Sequence, residues 1–95
     1  MGERNNNIIL CFAPRSPRIN AFQIYQWIYE CLQIPEDTIR MIQIDGVKRH
    51  VYIKFTEKVS MNNVLQATGR QMEFKHDNGE ITQVNRNRRY GVKEV

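Results

Sequence analysis

The alternation of apolar and polar residues predicts strands. In residues 50–55 the two classes alternate at every position, which is typical of a strand with one buried and one exposed face. The members expected to face a core are Val51, Ile53 and Phe55. Those expected on the opposite face are Lys48, His50, Tyr52 and Lys54. A compact apolar run of six residues, 8–13, which Pro14 ends, predicts a strand earlier in the chain.

Residues 20–34 follow the period of a helix, with Asn20 as the expected N-cap and Pro35 as the stop. The stripe expected to be buried comprises Ala21, Ile24, Tyr25, Ile28, Cys31 and Leu32. The polar side is expected to comprise Gln23, Gln26, Glu30 and Gln33. The apolar arc is nevertheless wider than one core requires. Its flanks carry three further aromatic residues: Phe22, Trp27 and Tyr29.

The rest of the chain predicts two hairpins around a second helix. Asp45-Gly46 and Asn78-Gly79 each separate two extended segments, as hairpin turns do. Between them, residues 56–69 have helical spacing, with Thr56 or Ser60 as cap. The thin stripe expected to be buried there is Met61, Val64 and Leu65. The final residues, "VKEV", predict the start of a further strand.

This order of elements indicates an α+β fold of the ferredoxin-like type, β-α-β-β-α-β. We expect an antiparallel sheet with the first and third strands in the middle. Both helices should cover one face of the sheet and leave the other face open to water or a ligand. The length of 95 residues indicates one small domain over residues 1–95.

Residues 48–55 also match much of the third-strand pattern of RNA-recognition-motif domains. In that pattern, outward rings stack on bases and neighbouring cations meet phosphate. His50 and Tyr52 would form the stacking platform here, although Arg49 stands where the pattern has glycine. The cations expected to contact phosphate are Lys48 and Lys54. A plain sheet surface or a protein-contact surface would show the same alternation. Nucleic-acid contact and these alternatives therefore stay open as interpretations.

The register of the first strand is also open. If Ile8, Leu10 and Phe12 point toward the core, the strand presents Ile9 and Cys11 outward. In the opposite register, Phe12 would supply a stacking ring.

A basic cluster near the end of the chain is a second candidate for contact with phosphate. It comprises Arg86, Arg88 and Arg89, with Tyr90 beside them. Arg15 and Arg18, after the first strand, could extend the same positive field. Clusters of this kind also occur as solvated turns.

Charge and composition favour an anionic macromolecular partner over catalysis. The formal net charge is +4, and hydrophobic residues make up 41 % of the chain. Two separate cysteines are too few for a disulfide framework or a zinc site, and neither histidine has a partner at catalytic or ligand spacing. We therefore expect a non-enzymatic module without cofactor, metal or small-molecule substrate. No apolar run approaches about 20 residues, so we expect no membrane span and an intracellular location, nucleus or cytoplasm.

A rival interpretation assigns the chain to protein interaction or self-association. The surplus aromatic residues of the first helix would form a docking surface if they are exposed. The residues predicted to contact a partner are Phe22, Trp27 and Tyr29.

Most of the chain resembles a known family. Residues 5–55, with the later phrases "HDNGEI" and "GVKEV", resemble the N-terminal RNA-recognition-motif-like domain of retrotransposon gag-like CCHC zinc-knuckle proteins of arthropods. The resemblance implies a nucleic-acid-handling protein in which this domain precedes further modules. The chain contains no Cys-x-x-Cys, so any zinc knuckles would lie outside it. The family also self-associates and docks other proteins, which leaves the protein-binding role open.

Overall fold

The computed structural model describes residues 6–68, 72–84 and 91–94. Within them the strands are β1 (Asn7–Cys11), β2 (Ile39–Asp45), β3 (His50–Phe55), β4 (Met72–Lys75), β5 (Ile81–Val84) and β6 (Gly91–Glu94). The helical segments are α1 (Ala21–Gln26), a π-helical turn (Trp27–Cys31), a 3-10 turn (Glu36–Thr38) and α2 (Lys58–Thr68).

Four of the strands form an antiparallel sheet in the order β2-β3-β1-β6. The central pair is β1 and β3, as the pattern of elements predicts. Strands β4 and β5 pair only with each other, in a separate hairpin between α2 and β6. The prediction of an α+β chain with an antiparallel sheet and two helices is confirmed.

Both helices pack on the same face of the sheet. The core contains inward residues of the sheet together with apolar residues of both helical segments. The sheet contributes Ile8, Leu10, Val51, Ile53, Phe55 and Val92. The helical segments contribute Ile24, Trp27, Ile28, Met61, Val64 and Leu65. Because these side chains form one cluster, the opposite sheet face has no helix over it among the described residues.

The α1 segment and the π-helical turn together form one continuous helix, which we call helix 1; it begins as predicted and then departs from the predicted stripe. Asn20 caps it: its Oδ1 accepts from Gln23 N at 2.9 Å, and Gln23 Oε1 accepts from Asn20 N at 2.8 Å. From Trp27 onward the helix is π-helical, and Leu32 N donates to Trp27 O. The wider turn changes the direction of the residues that follow. Cys31, predicted to be buried, is therefore exposed. Gln23, predicted on the polar side, is buried before this turn, where it forms the capping box with Asn20.

Both predicted hairpin turns are present. Asp45 Oδ1 accepts from the backbone N–H groups of Val47 and Lys48, each at 3.1 Å, and closes the turn between β2 and β3. In the second hairpin, Gly79 adopts a φ of 89°, a left-handed conformation in which glycine carries no steric cost. The residues between the hairpin strands thus follow ordinary turn chemistry.

The hairpin β4–β5 contributes to an aromatic cluster at one end of the core. Phe74 packs edge-on against both Phe12 and Trp27, with ring centroids 5.2 Å and 5.8 Å apart. The His76 ring lies 5.1 Å from that of Phe74. Trp27 is only 3 % exposed, so its prediction as a partner-contact residue is wrong. The indole ring instead packs in the core, where it contacts Phe74 of the hairpin.

Candidate nucleic-acid interface

The open sheet face is built by alternation along the strands. Directly paired residues of an antiparallel sheet point to the same side. The residues of this face share the side of the sheet opposite the helices. They are Asn7, Ile9 and Cys11 on β1, Met41, Gln43 and Asp45 on β2, His50, Tyr52 and Lys54 on β3, and Lys93 on β6. We call this surface the open sheet face.

Strand β3 places its aromatic and basic residues as its alternation predicts. Val51, Ile53 and Phe55 are buried against the helices, whereas His50, Tyr52 and Lys54 are half-buried on the open sheet face. The His50 and Tyr52 rings lie with centroids 6.5 Å apart and planes at 74°. The two rings are close enough to contact successive bases or the two sides of one nucleotide.

The neighbours of these rings across the sheet carry no aromatic ring. Tyr52 lies between Ile9 and Gln43. His50 lies between Cys11 and Asp45. The ring surface of the open sheet face is therefore a narrow strip along β3, flanked by aliphatic and polar side chains.

The register of β1 excludes the arrangement in which Phe12 faces outward. Ile8 and Leu10 are buried against the helices, and Phe12 is buried with them in contact with Phe74. The strand therefore presents Ile9 and Cys11, and burial raises the pKa of the Cys11 thiol. Any stacking on this face depends on β3 alone among the described strands.

Two open depressions of the sheet face share Gln43 and Tyr52 among their lining residues. One, of about 180 Å³, is lined by Asn7, Met41, Gln43, Tyr52, Ile53 and Lys54. The other, of about 550 Å³, is lined by Gln43, Ile44, Asp45, Gly46 and Tyr52. Of the residues that line both depressions, Tyr52 is the aromatic one. Tyr52 is therefore accessible from these two depressions to a ligand on the open sheet face.

The cations of the described face lie around this strip. Lys54 is part of the face, whereas Lys48, predicted on the outward side of the same strand, lies exposed in the turn before β3 because Arg49 has left-handed backbone geometry. Lys93, opposite Ile9 on the edge strand β6, is exposed and was not predicted as a site residue. Its position could have been found from the alternation in "GVKEV", because inward Val92 places Lys93 on the other side.

A negative charge lies at one end of the strip. The Asp45 carboxylate accepts two backbone hydrogen bonds, which hold its pKa below the usual range together with the nearby charges of Lys48 and His50. Asp45 therefore offsets part of the attraction that neighbouring Lys48 exerts on phosphate, and the attraction should be stronger at Lys54 and Lys93.

Arg49, which stands where the motif has glycine, has a structural role. Its φ is 58°, in the left-handed region that glycine favours. Its Nε donates to Ser16 O at 3.1 Å and its guanidinium also donates to Gly46 O. The side chain thus ties the β2–β3 turn to the loop after β1.

The basic cluster predicted from the sequence cannot be placed on this face. Arg86, Arg88 and Arg89 lie outside the described residues, so their contribution stays a prediction.

Two of the three aromatic residues predicted for partner contact are accessible on helix 1. Phe22 is 72 % exposed, and Tyr29 is half-buried with its hydroxyl donating to Glu36 O at 2.7 Å. Both lie in the helical layer and not on the open sheet face. They form a second surface, which is separate from the strip on β3.

Comparisons with protein-family models, with curated proteins and with solved structures found no significant match to this chain. Within the described ranges, none of the helices combines the length and apolar character that crossing a bilayer requires. Both cysteines, Cys11 and Cys31, are free thiols.

Proposed function

We propose that the chain is a non-enzymatic module of the RNA-recognition-motif-like, ferredoxin-like type that binds single-stranded nucleic acid, RNA above all. The ligand lies on the open sheet face. The observation that carries the proposal is the outward row His50, Tyr52 and Lys54 on a central strand, with both helices packed on the other side. Action in the nucleus or cytoplasm, beside further nucleic-acid-binding modules such as zinc knuckles, belongs to the same proposal.

Each group on the face has a distinct part in this binding. Tyr52 stacks on a base, and His50 supplies a second, smaller ring at the edge of the same nucleotide or its neighbour. Lys54, Lys48 and Lys93 contact phosphate. Base–aromatic stacking contributes about 1–3 kcal/mol per base, so one full ring and one imidazole support weak binding to which charge makes a large contribution.

The test is a titration of labelled single-stranded RNA, followed by fluorescence anisotropy at a low and a higher salt concentration. We expect binding that weakens as salt rises, and a large loss in the double variant Tyr52→Ala, Lys54→Ala. Lys58→Ala, on α2 in the helical layer, is the matched control and should bind as the original chain does. Absence of binding at low salt, or equal binding by the double variant and the control, would rule out this function.

A further inference from the structure

Helix 1 carries a second aromatic stripe beside the residues that fill the core, and Tyr29 of that stripe also packs partly against the core. Phe22, Tyr25 and Tyr29 follow one another at spacings of three and four residues, so they share one face of the helix. Ile24 and Ile28 supply the buried side. The second stripe borders a groove of about 510 Å³, which we call the helix 1 groove. Its lining residues are Phe22, Tyr25, Gln26, Tyr29, Glu30, Glu36 and Ile39.

The rings of this groove are held in position before any ligand arrives. The Tyr25 and Tyr29 centroids are 5.5 Å apart, with their planes at 37°. The hydroxyl of Tyr29 donates to the Glu36 carbonyl, which links the helix to the 3-10 turn before β2. Because this hydrogen bond already restrains the Tyr29 side chain, less side-chain freedom would be lost on binding.

The charge of the groove is opposite to that of the chain as a whole. Glu30 and Glu36 line it, and none of its described lining residues is a lysine or arginine. Burial most of all, and then the neighbouring Tyr25 and the charges of Glu36 and Asp37, raise the pKa of the Tyr29 hydroxyl. The net charge of the chain is nevertheless +4.

We propose that the helix 1 groove binds a basic segment of a partner protein. An arginine or lysine side chain would lie against the faces of Tyr25 and Tyr29, with its charge near the carboxylates of Glu30 and Glu36. An apolar neighbour in the same segment would pack on exposed Phe22. Rings beside carboxylates suit cations through both cation–π and ionic attraction, and the carboxylates disfavour phosphate. Charge complementarity therefore selects a basic peptide as the occupant.

The first experiment measures binding of two labelled probe peptides to the full 95-residue chain by fluorescence anisotropy. One probe alternates arginine and leucine between glycine–serine ends, and the other has glutamate in place of each arginine. We expect the arginine probe to bind and the glutamate probe not to bind. Failure of the arginine probe to bind, or equal binding of both probes, overturns the proposal.

Substitutions then locate the site. Phe22→Ala should weaken binding of the arginine probe about two- to fivefold, and the pair Glu30→Gln, Glu36→Gln should weaken it by a similar or larger factor. All these side chains are exposed, so the fold should tolerate the changes. The matched controls are Val59→Ala, an exposed apolar residue on α2, and Glu80→Gln, an exposed carboxylate in the hairpin. Controls that weaken binding as much as the groove variants would place the probe elsewhere and overturn the proposal.

Light scattering distinguishes a partner from a second copy of the chain. We expect a monomer mass at every concentration. A mass that rises with concentration and returns to the monomer value in Phe22→Ala would show that a second copy fills the groove, and would overturn the proposal of a separate basic partner. Tyr52→Ala should leave probe binding unchanged, so this inference and the proposed binding of nucleic acid can fail independently.

Discussion

The open sheet face and the helix 1 groove both present aromatic rings to solvent, but they differ in the charge around those rings. Lys54 and Lys93 border the rings of the sheet, whereas Glu30 and Glu36 border the rings of the helix. Aromatic faces alone are compatible with bases, cations and apolar side chains. The charges beside them therefore decide which class of ligand each surface favours.

The largest expected effect is on the free energy of unfolding, and it distinguishes the buried aromatic residue of helix 1 from an exposed one. Trp27→Ala should lower the free energy of unfolding by about 3–5 kcal/mol, because the ring fills the core against Phe74. Phe22→Ala should change it by no more than about 0.5 kcal/mol, because Phe22 is largely exposed. Urea unfolding followed by circular dichroism measures both values. Equal losses in the two variants would show that the two stripes are not distinct.

The next prediction concerns the contribution of the Tyr52 ring. Tyr52→Ala should weaken binding of single-stranded RNA by about 1–3 kcal/mol, while Tyr52→Phe should retain most of the affinity because it keeps the flat ring. The anisotropy titration provides the measurement. A loss in Tyr52→Phe as large as that in Tyr52→Ala would assign the contribution to the hydroxyl and contradict stacking.

Acidification should weaken the core that supports both surfaces. Burial lowers the pKa of His76, an effect that Glu80 and Asp77 oppose in part. His76 therefore binds a proton less readily in the folded chain than in the unfolded chain. Stability should be constant above about pH 6.5 and fall as the pH decreases below it, by at most about 1.4 kcal/mol per pH unit from this group.

Urea unfolding at a series of pH values, compared with the variant His76→Phe, isolates this contribution. The variant should lose part of the decrease in stability on acidification. Where acid unfolds the chain, RNA binding and peptide binding should be lost together, because both surfaces require the folded state. An identical pH profile in the variant would refute the role given to His76.

The smallest expected effect is on salt dependence. For single strands, each phosphate contact contributes about −0.7 to the slope of log affinity against log salt concentration. Lys54→Gln should therefore reduce the magnitude of the slope for RNA by about 0.7, whereas Lys58→Gln should leave it unchanged. Equal slopes for Lys54→Gln and the original chain would remove Lys54 from the phosphate contacts.

The strands were predictable wherever a local pattern determines their geometry. Strict alternation in β3 determines which side chains face the core, and the Asp45-Gly46 and Asn78-Gly79 turns mark both hairpins. The register of β1 was not predictable, because residues 8–12 are all apolar. It depends on the packing of Phe12 against Phe74, a residue distant in the sequence.

Helix 1 was harder to predict in detail. The spacing of its apolar residues predicted a helix, and Asn20 was predicted as its cap, but no residue in the sequence predicts the π-helical turn. That turn, together with the contact between Trp27 and Phe74, buries a ring expected on the flank and exposes Cys31. The helix 1 groove also requires the 3-10 turn at Glu36, whose proximity to Tyr29 follows only from the fold.

The most direct test of RNA binding on the open sheet face is an amide chemical-shift titration of the ¹⁵N-labelled chain with a short single-stranded RNA. Binding on the open sheet face should shift the amide signals of Ile9, His50, Tyr52 and Lys54 and leave those of Phe22 and Tyr29 unchanged. Shifts confined to helix 1, or no shifts on β3 at an RNA concentration that saturates binding, would contradict it.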